Sequence, residues 1–322
     1  MPRRQFCIAA RQAWIYDRVA MQTTMRAATV LVSILVGILT LQAQGNKQVL
    51  VAVVDPAGVP VTDLQPDEFE IRENNQSRKV VRARLATDPM RIALTVDSSR
   101  AVEPITNQFR AGLQRFFAAL PPSTEISLMS TGGQARLRLS PTSDRKKLSD
   151  AASNFFTDGG ANAALDGVMQ GYDQFLKKVE ARWPILVLIT ADGPIGGTVR
   201  DDQFERFVRE LQARSVVAHA IVVNTSPRGF GRPTDVALGL TKSTGGSYDA
   251  IAAATALPDK MKTLGERLAD QFRQSATLYR LEYLTGTKGP LSVEVSALRS
   301  GVKVTVIGLN NFIVKDDGRQ PR

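Results

Sequence analysis

Residues 91–101 read RIALTVDSSRA. Ile92, Ala93, Leu94 and Val96 make an apolar run that stops at Asp97 in a polar turn. PILVLIT (184–190) is apolar on successive residues, and SVVAHAIVV (215–223) has the same character. Runs without alternation, closed by turn residues, are the signature of strands buried on both faces, as in a parallel sheet.

Helical spacing fills the gaps. Ile105, Phe109, Leu113, Phe116 and Leu120 recur at 3–4-residue steps until Pro121–Pro122 stops them. Leu165, Val168, Met169, Tyr172, Phe175, Leu176 and Val179 predict a long amphipathic helix, and Phe204, Phe207, Val208 and Leu211 another. Two more are predicted over about 233–243 and 257–272. EISLMST (125–131) and ARLRLS (135–140) read as strands turning at Gly132–Gly133. Strands alternating with helices predict an α/β fold, a doubly wound, mostly parallel sheet over about 90–273.

The flanks have period-two patterning instead. QVLVAVVD (48–55) ends in the turn PAGVP, and FEIRENNQSRKVV (69–81) reads as a hairpin about Asn74–Asn75. In YRLEYL (279–284) Tyr279, Leu281 and Tyr283 point one way and Arg280 and Glu282 the other. LSVEVSALRSGVKVTV (291–306) alternates on both sides of the turn RSG. Each group has too few strands for a stable sheet of its own. The simplest arrangement packs segments 46–88 and 276–314 into one β-sandwich with the α/β domain inserted; two separate β appendages are the alternative.

Residues 27–41, AATVLVSILVGILTL, form a 15-residue apolar or small run after Arg26. That is short of the roughly 20 residues a membrane span needs and suits a secretory signal over 1–43, cut near Ala43. Met21 and Met25 are alternative starts, and an uncleaved anchor is the other reading. Of the formal charge of +10, residues 1–43 carry +4 from five arginines against one aspartate, which leaves +6. That excess is scattered and forms no basic stripe, so a nucleic-acid partner is not expected. Contact with a membrane is expected only through the signal segment, if it is uncleaved. Cys7 is the only cysteine and falls inside the signal, and His219 is the only histidine. A zinc site built on several His or Cys ligands is excluded.

In an open α/β sheet, ligands bind beyond the carboxyl ends of the strands. Three loops converge there in this reading: DSSRA (97–101), TDGGANAA (157–164) and TADGPIGG (190–197).

With IALTVDSS (92–99), DGGANAALDGV (158–168), LVLITADG (186–193) and STGGSY (243–248), the chain resembles a von Willebrand factor A-type domain. The flanks VVDPAGVPVTDLQPDEFEIRENNQSRKV (53–80), LYRLEYLTG (278–286) and VEVSALRSGVKV (293–304) are similar to bacterial exported A-domain-related proteins, a type common in acidobacteria. The resemblance implies an exported, non-enzymatic protein that recognises or adheres to protein partners in the periplasm or at the cell surface. It also implies a metal ion-dependent adhesion site with the pattern D-x-S-x-S on the first loop, Thr on the second and Asp on the third. Here Asp97, Ser99 and Asp192 match, while Ala101 and Ala161 stand where hydroxyls belong.

No cofactor is expected beyond a weak Mg2+ or Ca2+, on the order of millimolar, since each lost hydroxyl removes a fixed ligand. Arg100 opposes an ion, whereas Asp158 and Asn162 are candidates to compensate. Ser98, Arg100, Asp158 and Asn162 form the candidate partner-binding rim. The bland alternative is that Asp97, Ser98 and Ser99 cap the following helix. A structural envelope component with no ligand on this face is the competing function. Hydrolase chemistry is disfavoured because His219 lies within an apolar strand and no G-x-S-x-G elbow occurs; GPIGGT (193–198) lacks the lysine of a phosphate loop.

Overall fold

A computed structural model describes residues 45–179, 183–193, 195–197, 199–224, 232–285 and 292–309. The expected signal segment, Cys7, and residues 310–314 of the C-terminal β segment lie outside the described residues. Residues 47–283 and 292–309 belong to one unit; residues 45–46 and 284–285 are the described part of another.

Four strands come first: β1 (Gly45–Val54), β2 (Phe69–Glu73), β3 (Gln76–Arg78) and β4 (Val80–Leu85). The α/β section follows as β5 (Met90–Val96), α1 (Thr106–Ala119), β6 (Glu125–Ser130), β7 (Arg136–Thr142), α2 (Arg145–Ser153) and α3 (Ala164–Phe175). It continues through β8 (Trp183–Ala191), α4 (Asp201–Ala213), β9 (Val217–Val223), α5 (Arg232–Thr244), β10 (Tyr248–Ile251) and α6 (Leu257–Ser275). Strands β11 (Tyr279–Thr285), β12 (Val293–Ala297) and β13 (Lys303–Leu309) close the chain. Helix α2 was not anticipated: it offers only Leu148 and Ala152 to the core, too few to show as a period.

The central sheet has the order β10-β9-β8-β5-β6-β7. All neighbours are parallel except the β6–β7 pair at one edge. Strand β5 shows why its sequence lacks alternation. Ile92, Leu94 and Val96 enter a core covered by α1, α2 and α6, while Ala93 enters a second core under α3, α4 and α5. With helices on both faces, every position of the strand from Ile92 onward is withdrawn from water.

The flanking strands form two sheets, β13-β1-β11-β4 and β12-β2-β3, over a shared core that includes Val51, Phe69, Ile71, Tyr279, Leu281 and Tyr283. Three sequence expectations need correction. The hairpin about Asn74 and Asn75 (φ 50° and 62°) pairs β2 with β3 only, and Val80 and Val81 pass to the other sheet. The strands on either side of RSG pair with different partners, β12 with β2 and β13 with β1. Alternation reports which face is buried, not which sheet a strand joins. Arg280, expected to point outward, is 9 % exposed and pairs with Asp88, which also binds Arg84 at 2.6 Å.

His219 sits near the start of β9, 7 % exposed. Its Nδ1 accepts the Ser247 backbone N–H at 3.1 Å and lies 2.9 Å from the Ser247 hydroxyl, which fixes a neutral ring. Burial, aided by the charge of Arg267, pushes its pKa down to about 4, with Asp249 opposing. A depressed histidine contributes stability above its unfolded pKa and loses it as pH falls. Stability should therefore decline from about pH 6.5 towards 4, by up to about 3 kcal/mol from this group. His219→Asn, which keeps an acceptor for Ser247, should flatten that part of a denaturant-derived stability profile.

Candidate functional site

The sheet order reverses at β5, between β6 and β8, so the crevice position of an open α/β sheet lies beyond the carboxyl ends of β5 and β8. Parallel register runs through Val96 and Ile189, then Ala191 and Val223. The backbone continues it: Asp97 N–H donates to Ile189 O at 2.8 Å and Asp192 N–H to Val223 O at 2.8 Å. Asp97 and Asp192 thus leave neighbouring strands along one edge of the sheet.

Asp97 is fully buried. Its Oδ1 accepts the Ser99 N–H at 2.8 Å. Its Oδ2 accepts from Asn162 Nδ2 at 2.8 Å, the Ala191 N–H at 3.0 Å and the Thr190 hydroxyl at 3.3 Å. Burial pushes its pKa up, and these neighbours offset that only in part. Asn162 is 1 % exposed. Its Nδ2 also donates to Thr190 Oγ1 at 2.7 Å, and its Oδ1 accepts from the Thr131 hydroxyl at 2.7 Å. A carboxylate only accepts, so Asn162 must present its NH2 to Asp97.

The second cluster joins loops one and two. Ser98 Oγ donates to Asp158 Oδ2 at 2.7 Å and accepts the Gly132 N–H at 2.8 Å. Arg138 pairs with Asp158 and donates to Ser130 Oγ at 2.8 Å, and Arg136 reaches Asp158 at 3.2 Å. Burial works to raise the Asp158 pKa, but the Arg138 guanidinium and the two serine hydroxyls outweigh it and hold it below the usual range. A Cβ at Gly132 would strike Ser98 O and lie 2.8 Å from Asp158 Cβ, so the loops can close only over glycine.

Capping is not what these residues do. The segment after Ser99 is a 3-10 turn over Arg100–Ile105, and Ser99 makes no side-chain cap. Asp97 instead holds the Ser99 N–H, while Ser98 turns to the second loop. Arg100 is exposed, and its backbone N–H donates to Gly160 O at 3.1 Å. Asp192 is 2 % exposed, and its charge reaches Tyr248, whose phenol is pushed up chiefly by burial. Thr131, Thr190, Ser130 and Arg138 were not singled out from sequence. The two threonines sit at carboxyl ends of predicted strands and were findable by that rule. Arg138 lies on an edge strand, and nothing local in the sequence points to it.

The α/β body is a six-stranded, mostly parallel sheet with helices on both faces, the architecture that the resemblance to an A-type domain implies. No family model and no curated protein matches the sequence. A von Willebrand factor type A protein from Catenulispora acidiphila is 10 % identical, with a TM-score of 0.49 over 84 % of this chain and 74 % of that one. Conserved hypothetical protein BatB from Bacteroides thetaiotaomicron is 12 % identical, with a TM-score of 0.44 over 57 % of this chain and 99 % of that one. Proximal thread matrix protein 1 from the mussel byssus, solved with zinc in its metal ion-dependent site, is 17 % identical, with a TM-score of 0.46 over 63 % of this chain and 50 % of that one.

The residues at this end of the sheet do not fit a metal ion. Ser99 Oγ is buried without a hydrogen-bond partner, the trace a lost ligand would leave, but it stands alone. The Asp97 oxygen that would bind an ion faces amide hydrogens instead. Ala101 and Ala161, in the places of the missing hydroxyls, lie against the third loop: Cβ atoms built at Gly193 and Gly196 would meet theirs at 3.0 and 3.1 Å. Among the described residues, no group of three or more His, Cys, Asp or Glu side chains is placed to hold a metal. Asp158 and Asn162 therefore do not compensate as ligands. One is held in an ion pair, and the other offers nitrogen where oxygen is needed.

Removing the Asp97 side chain takes the acceptor from three buried hydrogens: Ser99 N–H, Ala191 N–H and one of the two on Asn162 Nδ2. Asp97→Ala should cost roughly 2–5 kcal/mol and Ser98→Ala roughly 1–3, measured by chemical denaturation. Asp97→Ala is thus a stability variant and cannot serve as a clean probe of binding.

Proposed function

We propose that this protein is exported and recognises another protein through the rim around the carboxyl edge of its A-type sheet, without catalysing a reaction. The observation that carries this reading is the buried cross-linking of the loops. Asp97, Asn162 and Ser98 hold them from inside, so the outward side chains are pre-positioned, and ordering costs on binding are low. Those side chains are of the type that anchors interfaces. Phe156 is 51 % exposed, and Arg138 stacks 4.3 Å above its ring. Ile195 on the third loop is 37 % exposed, and Arg100 on the first is exposed as well.

Export is supported by the apolar run 27–41 and its flanks. No helix among the described residues is long and apolar enough to cross a membrane. A periplasmic or cell-surface protein partner fits this reading, and a nucleic acid does not. Hydrolysis finds no support in the single histidine, which is buried at the other end of its strand from the crevice. The competing role is an envelope component that uses the fold for packing alone.

Tagged chain incubated with envelope extract should retain a defined protein. Arg100→Glu, Phe156→Ala and Ile195→Asp should each lower its recovery about tenfold, as expected for anchor residues, with an unchanged melting temperature. Equal recovery by all three variants rejects the rim as the recognition surface and favours the packing role.

A further inference from the structure

We propose that Asn162 is a built-in substitute for the metal ion, so that the crevice of this A-type domain is locked without divalent cations and does not respond to them. An ion in such a crevice does two jobs: it neutralises a buried carboxylate and ties several loops to one point. Asn162 does both. Its NH2 meets Asp97 Oδ2 at 2.8 Å and Thr190 Oγ1 at 2.7 Å, which joins the ends of β5 and β8. Its carbonyl takes the Thr131 hydroxyl at 2.7 Å, which adds the end of β6. Its backbone bridges to Gly132 and Ile195, and its O accepts the Gly196 N–H at 2.9 Å.

Geometry makes the substitution exclusive. Magnesium binds oxygen at about 2.0–2.1 Å and calcium at about 2.3–2.6 Å. An ion at Asp97 Oδ2 on this side would occupy the space of an amide group already 2.8 Å away. An amide nitrogen offers no lone pair, and both of its hydrogens are used. Carboxylates and carbonyl oxygens are what these ions select. Asn162 is therefore a positioning residue that acts through Asp97 and touches no partner. A second copy of a carboxylate in its place would supply what the crevice lacks.

The experiment is thermal unfolding of the full chain in chelator and in about 10 mM MgCl2, CaCl2 or MnCl2 at matched ionic strength, a concentration above the weak range of extracellular sites. The wild type should melt at the same temperature, within about 1 °C, in every buffer. Asn162→Asp sets a second carboxylate against Asp97. It should melt lower in chelator and recover by about 3 °C or more in at least one cation. Asn162→Ala should melt lower with no cation response. A rise of about 3 °C or more in the wild type overturns the proposal, and so does an Asn162→Asp response no larger than that of Asn162→Ala. If Asn162→Asp fails to fold, the wild-type titration decides alone. The capture experiment above can fail while this one succeeds, because this inference needs no partner.

Discussion

A carboxylate taken out of water must be met by donors or give up its charge. Asp97 is wholly buried at the point where the sheet reverses its order, and the surrounding loops are arranged to meet that demand. The backbone supplies two N–H groups, from Ser99 and Ala191. Asn162 supplies a third donor from a loop some sixty residues on, and Thr190 a fourth. Because the donors come from three segments, satisfying one side chain fixes the ends of β5 and β8 against the second loop.

The second anchoring point lies where the chain passes between the sandwich and the α/β body. Ala86 N–H donates to Leu278 O at 2.8 Å, so entry and exit are adjacent. Asp88 there binds both Arg84 and Arg280. Arg280 is almost wholly buried, with its Nε unpartnered. A single buried carboxylate facing two guanidiniums specifies geometry more than it adds stability, since desolvation offsets much of the attraction.

Much of this architecture can be read from the chain. Unalternated runs such as ILVLI in β8 announce strands covered on both sides, and the spacing from Phe109 to Leu120 announces α1. The neighbourhood of Asp97 and Asp192 follows from parallel strands with helical crossovers. What the chain hides is pairing. Nothing in Val80 or Val304 says which sheet receives it. Polarity was hidden too: Asn162 looks like an oxygen donor until its partners are known, and only the proximity of a carboxylate turns its nitrogen inward. Arg138 reaches Asp158 from an edge strand whose alternation is ordinary, so its role is visible only in three dimensions.

The pairing of Val53 with Val304 has a further consequence. Strand β1 receives that neighbour only after the whole α/β body between the two has been made. Closing so long a loop is entropically costly and slow. The intervening α/β body, built from short-range crossovers, can condense first and bring its two ends together. It then acts as the clasp that lets β1 and β13 find each other, and until then β1 travels with an open edge that other chains could join.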